Sequence, residues 1–518
     1  MKPPRTWEND SPLLVVQVDV PQEENTGDYY YRAYAPGIGM AQCEGVYTLN
    51  LTNVHRMKHE LMRRADVLVL NNICDADILP IVRERKKGGK ITIYELGDDL
   101  ADMPVSYSLK AFYSDPKNLL LIKRLANYCD ALQFSSPELQ RKYGYLNAVS
   151  EVFPNHILEM PAERNEESAQ ELIVGWGGSF GHLEDIKKIS GPLMDWILSR
   201  NGVRLHLMCA EPLRRIFDRL PESRLRWFLP GTLKEYYRFV STLHIGLAPL
   251  EDTPFNRSRS DIKFLEYGAH GVVPLLQATG PYLVSVQDGK TGFLYKSVDE
   301  LLSILNRLAT EPSMRIEAAR AARNYVLSER DQLKRGYERV AFYRGLYAAE
   351  NGPRLRGKEA EDLFEECCKI DGAQRSGKNA FLRATNFESL LTNGLLLLAD
   401  RPRAWEMFRE AIRVAPINYM PYLFGAGVSN DPTGLLKKAT EINPRSIVSW
   451  LNLAWEHGRK TNTEETIKCF HRAANIFPEF EYPYIECANY LNSIGMASEG
   501  ASLLKVALGL IPEVIRSR

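Results

Sequence analysis

Charged side chains recur at helical spacing in the segment from Ser258 to Pro274. The pattern predicts a short helix that begins on a serine cap and ends at Gly271. Its apolar positions fall on one face, and the opposite face carries Arg259, Lys263, Glu266 and His270. The helix follows a predicted strand at 243–250, and open α/β sheets bind ligands beyond the carboxyl ends of their strands. The charged face is therefore a candidate ligand site; the alternative is an ordinary surface ion pair between Lys263 and Glu266.

A glycine-rich loop at 175–185 follows another predicted strand, at 172–176. The loop contains Gly177, Gly178, Ser179 and His182. Glycines let a backbone approach a phosphate closely, and the N–H groups at the start of the following helix carry partial positive charge. The loop is therefore suited to a diphosphate, although the same pattern also fits an ordinary turn between a strand and a helix.

Acidic residues end a third predicted strand, at 90–96, in the sequence Glu95-Leu-Gly-Asp98-Asp99. A carboxylate at the end of a parallel strand, such as that of Asp98, could orient or deprotonate a hydroxyl group. The alternative is an aspartate that caps a turn. A second acidic pair, Asp75 and Asp77, is interpreted as a helix cap, and we assign no metal to it.

Strand-length apolar runs alternate with helical segments as far as residue 350. This alternation predicts an α/β protein with parallel, doubly wound sheets. A polar, proline-containing stretch near residues 154–168 reads as a linker, which divides the region into domains at 1–160 and 165–350. The candidate residues above lie at strand ends in both domains.

The C-terminal part of the chain is periodic. Pro444, Pro478 and Pro512 lie 34 residues apart, and Trp450 and Tyr484 keep the same spacing. With small and aromatic residues at fixed offsets, this period fits the tetratricopeptide pattern of stacked helix pairs. We expect a linker with one helix at 351–378 and a repeat domain at 379–518 that makes protein–protein contacts or assembles homo-oligomers. The alternative is a passive stabilising extension.

Composition places the chain among ordinary globular proteins. Its 518 residues include 65 Lys and Arg and 65 Asp and Glu, so no net charge favours a nucleic-acid partner. No apolar run reaches transmembrane length, and the N-terminus lacks the apolar core of a signal peptide, which predicts a cytoplasmic protein. The eight cysteines show no zinc or disulfide pattern.

The segment Lys263-x-x-Glu266-Tyr-x-Ala-x-Gly271 resembles the glutamate-containing helix of the retaining GT-B glycosyltransferases of family 4. The resemblance implies two Rossmann-like domains that face a cleft, with the acceptor side at 1–160 and the nucleotide-sugar side at 165–350. It also implies that the helical run at 331–349 crosses back onto the first domain. An all-α tetratricopeptide solenoid would follow this GT-B fold.

The resemblance also assigns roles to single residues. Glu266 would accept hydrogen bonds from the ribose diol of a nucleotide sugar, and Lys263 would face its diphosphate. The loop at 230–237, which includes Thr232, resembles the family loop whose backbone holds the nucleobase. The complete set beside the donor is Gly177, Gly178, Ser179, His182, Thr232, Arg259, Lys263 and Glu266; the catalytic set is Asp98, Lys263 and Glu266.

The chain also departs from the family pattern. Many members carry an acid where this chain has Ser258, and many have an arginine in the glycine-rich loop that is missing here. Arg257, Arg259 or Lys263 would then supply the cation that faces the diphosphate. Gly27 and Arg32, in and just after the loop that follows the first strand, are further candidates for a position under the diphosphate.

The implied activity is transfer of a hexose-like sugar, with retention, from a nucleotide-sugar donor to an acceptor hydroxyl, without a metal or other cofactor. Donors at Gly178, Ser179 and Lys263 would stabilise the charge of the leaving diphosphate. The acceptor would be a protein recruited by the helical repeats, or a cell-surface polysaccharide or lipid-linked glycan. A non-catalytic scaffold that binds no nucleotide is the alternative from another class.

Overall fold

The computed structural model describes residues 12–20, 27–105, 107, 110–163, 171–349, 357–370, 372–382 and 385–516 of the chain. Two sheets covered by helices account for the chain as far as residue 349, and a helical region follows. Buried hydrophobic clusters lie on both faces of each sheet. This is the arrangement expected of parallel sheets, which bury both faces.

The first domain has six neighbouring parallel strands: β1 (Leu13–Asp19), β2 (Val46–Thr52), β3 (Val67–Asn71), β4 (Ile91–Leu96), β5 (Ala131–Phe134) and β6 (Ser150–Val152). Their spatial order is β2-β1-β3-β4-β5-β6. The helices are α1 (Gly27–Tyr29), α2 (Ala35–Met40), α3 (Lys58–Arg64), α4 (Leu79–Lys87), α5 (Lys110–Ser114), α6 (Pro116–Tyr128) and α7 (Pro137–Tyr143). A π-helical turn, Tyr30–Tyr34, joins α1 to α2, and 3₁₀ turns lie at Ala76–Ile78 and Gly144–Leu146.

The second domain has six parallel strands: β7 (Leu172–Gly177), β8 (Val203–Met208), β9 (Leu225–Phe228), β10 (Ile245–Ala248), β11 (Val273–Gln277) and β12 (Phe293–Tyr295). Their order is β12-β11-β10-β7-β8-β9. The helices are α8 (Leu183–Leu198), α9 (Glu211–Arg214), α10 (Leu233–Val240), α11 (Pro254–Ser258), α12 (Ile262–Ala269), α13 (Gly280–Ser285), α14 (Val298–Thr310) and α15 (Pro312–Glu329), with 3₁₀ turns at Phe180–His182 and Arg215–Phe217. The predicted α/β fold with two parallel sheets is confirmed.

Helix α16 (Gln332–Ala349) returns to the first domain, where it packs against α2. Its residue Tyr343 is buried and donates a hydrogen bond to Gln133 Oε1 of β5 at 2.9 Å. The crossing back onto the first domain that the sequence predicts at 331–349 is therefore present, and it connects the two sheets at a second point.

The segment predicted as a linker, 351–378, contains helix α17 (Gly357–Cys368) and then the start of a β-hairpin. The hairpin consists of β13 (Ala373–Ser376) and β14 (Asn379–Leu382), and β14 pairs in parallel with β2. The predicted boundary at residue 379 therefore falls inside the first sheet. The alternation of Asn379-Ala-Phe-Leu382 was too short to indicate a strand, and its pairing depends on a sheet edge more than 300 residues away.

Helices from residue 386 onward pack mainly against their sequence neighbours. They are α18 (Asn386–Leu396), α19 (Arg401–Val414), α20 (Met420–Ala426), α21 (Pro432–Ile442), α22 (Ile447–Arg459), α23 (Thr463–Ile476), α24 (Tyr482–Ser493), α25 (Ala497–Leu510) and α26 (Glu513–Arg516). One hydrogen bond recurs between an aromatic side chain and the carbonyl of a proline six residues earlier, from Tyr422 to Pro416 at 3.1 Å, from Trp450 to Pro444 at 2.9 Å and from Tyr484 to Pro478 at 3.3 Å. The proline and aromatic residues that recur in the sequence thus make the same contact at each occurrence.

The helical array is fixed to the first domain around Asp77, which is 5% exposed. The Asp77 carboxylate accepts hydrogen bonds from Ser446 Oγ at 2.7 Å, from the Val448 N–H at 3.1 Å and from the Tyr419 hydroxyl at 3.1 Å. Farther along the interface, Lys117 Nζ of α6 lies 3.2 Å from Glu486 Oε1 of α24. The starts of α20 and α22, together with α24, therefore contact the first domain and hold the array beside it.

Asp75 caps the turn at Ala76–Ile78 as predicted, because its side chain accepts a hydrogen bond from the Asp77 N–H at 3.0 Å.

Among the described residues, no helix has both the length and the apolar character that a membrane crossing requires.

Candidate functional site

Glu266 lies on α12 at the junction of the two domains and is 3% exposed. Its Oε1 atom accepts a hydrogen bond at 3.0 Å from the hydroxyl of Tyr31, which belongs to the first domain. Its Oε2 atom accepts from the Tyr236 hydroxyl at 2.9 Å and from Lys263 Nζ at 3.1 Å. The carboxylate predicted to bind a ligand therefore sits between groups from both domains.

Lys263 is held by the same tyrosine that contacts Glu266. Its Nζ atom donates to the Tyr236 hydroxyl at 2.6 Å and lies 4.2 Å from the centroid of that ring. The alternative was a solvent-exposed ion pair at i and i+3. The pair is present, but it is not on an exposed surface, because the side chain of Lys263 is 20% exposed and that of Glu266 is 4% exposed. A buried pair of this kind interacts more strongly than a solvated one.

The start of α12 differs from the sequence expectation. The residue before the helix is Asp261, not a serine, and its side chain makes no capping hydrogen bond. The carboxylate of Asp261 instead pairs with Arg330 at 2.7 Å and accepts from Ser285 Oγ. His270 also turns inward, since its Nδ1 contacts the Glu266 carbonyl at 2.7 Å. The long-range ion pair therefore replaces the predicted serine cap and fixes the helix to the chain that leads into α16.

Arg259 is the cation that reaches into the cleft between the domains. Its Nη1 atom donates to the hydroxyl of Tyr107, in the first domain, at 2.8 Å, and its guanidinium lies 5.4 Å from the Phe255 ring. Burial opposes the charge, but Tyr107 and the carboxyl of Asp98 outweigh it and raise the pKa of Arg259. Arg257 instead points outward and pairs with Asp252 at 3.3 Å. Of these two, Arg259 is the better candidate to face an anion.

Asp98 lies just beyond the end of β4, within electrostatic range of Arg259. Desolvation and the nearby carboxylate of Asp28 raise the pKa of Asp98 to about 7, although Arg259 acts in the opposite direction. A carboxyl group with this pKa can exchange a proton near neutral pH. The structure thus brings Asp98 to the same site as Arg259. The sequence reasoning missed Asp28; its signal was an acid in the first turn of the helix that follows β1.

Asp99 has a different role from its neighbour. It is 1% exposed and accepts hydrogen bonds from Lys142 Nζ at 2.6 Å and from the Tyr143 hydroxyl at 2.5 Å. These contacts anchor the loop to α7. The sequence left a structural and a chemical role open for this pair of aspartates; in the structure Asp99 holds the loop and Asp98 faces the cleft.

His182 lies in the 3₁₀ turn that follows the glycine-rich loop. Its Nδ1 atom is 2.8 Å from Asp185 Oδ2, and Asp185 Oδ1 accepts from the Glu251 N–H at 2.8 Å. Desolvation, followed by the charge of Arg259, lowers the pKa of His182 to about 4, and Lys263 acts in the same direction. His182 is therefore neutral at pH 7 and lies within electrostatic range of both cations.

The glycines of the loop are required mainly by packing. A Cβ atom on Gly177 would lie 2.9 Å from the ring of Tyr236 and 3.0 Å from that of Phe239, and one on Gly178 would lie 2.5 Å from the ring of Trp176. The Gly178 N–H donates to the Met208 carbonyl at 3.1 Å, which extends the β7–β8 pairing. Gly178 was expected to donate to a diphosphate; this contact commits its N–H to the sheet instead.

The rest of the loop faces the first domain. A Cβ atom on Gly181 would lie 2.4 Å from the ring of Tyr107, the residue that also receives the hydrogen bond of Arg259. Ser179 precedes the 3₁₀ turn as its N-cap residue and is exposed. The loop and the Arg259 side chain therefore meet the same tyrosine.

Thr232 caps α10, which carries Tyr236. Its side chain accepts from the Glu235 N–H at 3.3 Å, and the Glu235 carboxylate accepts from the Thr232 N–H at 2.7 Å, a reciprocal capping box. The hydroxyl of Thr232 is thus used within the helix start, and any contact with a ligand from this loop would come from its backbone.

Arg32 is buried and held by contacts within the first domain. It is 5% exposed, pairs with Glu95, and donates from Nη1 to the Phe153 carbonyl and to Asn155 Oδ1, each at 2.8 Å. Asn155 in turn donates to Ser260 Oγ at 3.0 Å. Arg32 therefore connects β4 to the residues just before α12, and its position under a diphosphate stays a prediction.

In the part of the chain that the structure describes, no three His, Cys, Asp or Glu side chains are grouped as they would be around a metal ion. The site that is present combines two cations, Arg259 and Lys263, with two carboxylates, Asp98 and Glu266, and the neutral His182. It can hold an anion near Arg259, accept hydrogen bonds from a diol at Glu266, and take up a proton at Asp98.

No protein-family model and no curated protein sequence matches the chain. Among solved structures, the sucrose-phosphate synthase of Thermosynechococcus elongatus aligns with 65% of this chain and 100% of its own, at 14% identity and a TM-score of 0.51. HepE of Anabaena, solved with UDP-glucose, aligns with 64% of this chain and 100% of its own, at 14% identity and a TM-score of 0.48. The comparison thus shows a two-sheet α/β fold, which the sucrose-phosphate synthase is one solved structure to share.

Proposed function

We propose that this chain is a glycosyltransferase of the family 4 GT-B type that moves a hexose-like sugar from a nucleotide-sugar donor to an acceptor hydroxyl. The observation that carries the proposal is the pairing of the partly buried Lys263 with the buried Glu266 at the junction of two parallel sheets. A surface ion pair would need neither the burial nor the contact with Tyr31 of the other domain. The fold shared with a sucrose-phosphate synthase agrees with chemistry on sugars.

In the proposed reaction, the bond between the anomeric carbon and the diphosphate oxygen breaks, and a bond from that carbon to the acceptor oxygen forms. Arg259 and Lys263 stabilise the negative charge on the leaving diphosphate, and loss of one such group costs about a hundredfold in rate. Asp98, in its ionised form, takes the proton of the acceptor hydroxyl. Glu266 orients the donor by accepting hydrogen bonds from the ribose diol.

Stereochemical retention and independence from metal ions belong to this proposal and rest on the resemblance to family 4. Ser179 and His182 would lie beside the leaving group, and the backbone near Thr232 would hold the base. The cytoplasmic location stays a prediction.

The test is donor turnover with a panel of nucleotide sugars. Lys263→Ala and Glu266→Ala are each expected to reduce sugar transfer at least a hundredfold while the circular dichroism spectrum stays unchanged. Lys290→Ala, which removes an exposed lysine from the same domain, serves as the matched control and is expected to keep full activity. Wild-type turnover in the Lys263 and Glu266 variants would refute the proposal.

We also propose that the helical array is a tetratricopeptide domain that brings a protein acceptor to the cleft. Since contacts such as Asp77–Ser446 fix the array to the first domain, an acceptor held by the array has a defined distance to the cleft. The outward surface includes exposed apolar residues of α25, of which Val506 is 47% and Leu508 is 56% exposed. They flank the buried Ala507, so each offers apolar contact area on its own side of the helix.

Deletion of residues 379–518 would not test this recruitment, because it removes β14 from the first sheet. The sharper variant is Val506→Asp with Leu508→Asp. It is expected to reduce transfer to macromolecular acceptors and to leave donor hydrolysis unchanged; equal transfer by the variant and the wild type would exclude recruitment through α25. A polysaccharide or lipid-linked acceptor, the alternative, would be indicated by labelled product that resists protease.

A further inference from the structure

The two groups assigned to the donor are both in contact with tyrosines of the opposite domain. A carboxylate has about four acceptor positions, and Glu266 uses one for Tyr31 and two for Tyr236 and Lys263. A ribose diol needs two acceptor positions. At least one present contact must therefore break before a diol can bind in full, and Tyr31 is the partner that moves with the first domain.

Tyr31 is well placed to hold the domains together. It is 6% exposed, and its oxygen lies 2.6 Å from the Tyr237 hydroxyl of α10. Burial, followed by the charge of Glu266, raises the pKa of Tyr31 well above its ordinary value. The phenol therefore stays protonated at neutral pH and donates to the carboxylate.

A second tyrosine makes the equivalent contact on the cationic side. The Tyr107 hydroxyl accepts the hydrogen bond of Arg259 at 2.8 Å, and its ring lies over Gly181 of the glycine-rich loop. Because the loop and Arg259 are the groups assigned to the diphosphate, Tyr107 occupies the position that a phosphate oxygen would take on that arginine.

We propose that Tyr31 and Tyr107 form an interdomain lock on Glu266 and Arg259, which a nucleoside diphosphate opens by replacing both phenols. The ribose hydroxyls take the place of the Tyr31 hydroxyl on Glu266, and a phosphate oxygen takes the place of the Tyr107 oxygen on Arg259. The lock rests on the proposed function for the identity of the ligand. The apparent affinity for the donor is then the intrinsic affinity multiplied by the fraction of molecules in which the lock is open.

The first test measures binding of UDP, GDP and ADP to the full-length chain by calorimetry. Tyr31→Phe and Tyr107→Phe each remove one competing hydroxyl and are expected to tighten binding about tenfold, the factor that one hydrogen bond to a charged group corresponds to. Tyr337→Phe, at a residue that is 54% exposed on α16, removes a phenol elsewhere and is expected to bind as the wild type does. Weaker or unchanged binding in both cleft variants would overturn the lock.

A second measurement separates the lock from the proposed function. Without nucleotide, amide hydrogen exchange in residues 27–40 and in α12 is expected to accelerate in Tyr31→Phe, because the domains lose a contact that holds them closed. Unchanged exchange would overturn the lock. If the wild type binds none of the three nucleotides while exchange accelerates, the proposed donor is wrong and the interdomain contact of Tyr31 stands.

Discussion

Ser258 of the second domain lies against Asp99 of the first, with 3.4 Å between Ser258 Oγ and Asp99 Oδ2. Both residues are 1% exposed. The Ser258 carbonyl also accepts a hydrogen bond from Ser136 Oγ at 2.6 Å. Where many family 4 members carry an acid, this chain has a small hydroxyl that faces a carboxylate from the other domain.

Ser258→Glu is therefore expected to destabilise the protein. The change places a second carboxylate beside the buried Asp99, at a cost of about 3 kcal/mol. Ser258→Ala removes only weak hydrogen bonds and is expected to cost about 1 kcal/mol. Chemical denaturation measures both. A glutamate variant at least as stable as the wild type would show that this site can hold a second acid.

The pH dependence of transfer tests the role of Asp98. Because desolvation and Asp28 raise the pKa of Asp98 to about 7, the group is protonated below that pH and ionised above it. As a proton acceptor it acts only when ionised, so the rate is expected to rise with pH through about 7. His182, whose pKa is lowered to about 4, is neutral near pH 7 and cannot cause this rise in rate, which forms the acid limb of the pH–rate profile.

Asp28→Asn should move that limb. Removal of the Asp28 charge makes ionisation of Asp98 easier, so the acid limb of the pH–rate profile is expected to shift to lower pH by about one unit. A profile that is flat between pH 5 and 8 in the wild type, or a limb at the same pH in the variant, would exclude Asp98 as the base.

Gly177→Ala tests how α10 positions Glu266. The new Cβ atom would lie 2.9 Å from the ring of Tyr236, which must move away from the carboxylate that it contacts. Unlike Tyr31, Tyr236 belongs to the same domain as Glu266 and orients its carboxylate, so its displacement is expected to raise the KM for the donor about tenfold. Gly191→Ala on α8, where a Cβ atom meets nothing within 4 Å, is the matched control and should keep the wild-type KM. Equal KM values in the two variants would contradict this role of Tyr236.

Asp77→Ala tests the attachment of the helical array. It leaves the partners Ser446, Val448 and Tyr419 without their acceptor in a buried position, which is expected to cost about 3 kcal/mol. Glu464→Ala, at an exposed residue of α23, should change the stability by less than about 0.5 kcal/mol. Hydrogen exchange in α20 and α22 should accelerate in Asp77→Ala alone. Unchanged exchange there would mean that the array is held by its other contacts.

The sequence predicted the elements that local patterns determine. The alternation of apolar and helical segments identified both sheets, and the 34-residue spacing identified the repeat that the Trp450 and Tyr484 hydrogen bonds show in the structure. The charged turn at Lys263 and Glu266 was found from helical spacing. Each of these signals lies within a short stretch of chain.

Contacts between segments that are far apart in the chain could not be predicted from local sequence patterns. Tyr31 and Glu266 are separated by 235 residues, so nothing near either one indicates their hydrogen bond. The Gly178 N–H was expected to be available for a phosphate, but strand pairing with Met208 uses it. The hairpin strand at Asn379 was missed for the same reason, since only the edge of β2 makes it a strand.

Binding of a sugar nucleotide in the cleft beside Glu266 is tested by calorimetry with UDP, GDP and ADP on the wild type and on Glu266→Ala. We expect one of the three to bind the wild type and Glu266→Ala to weaken this binding at least tenfold, since two hydrogen bonds to a charged acceptor are lost. Absence of binding by all three, or equal affinity in the two proteins, would contradict it.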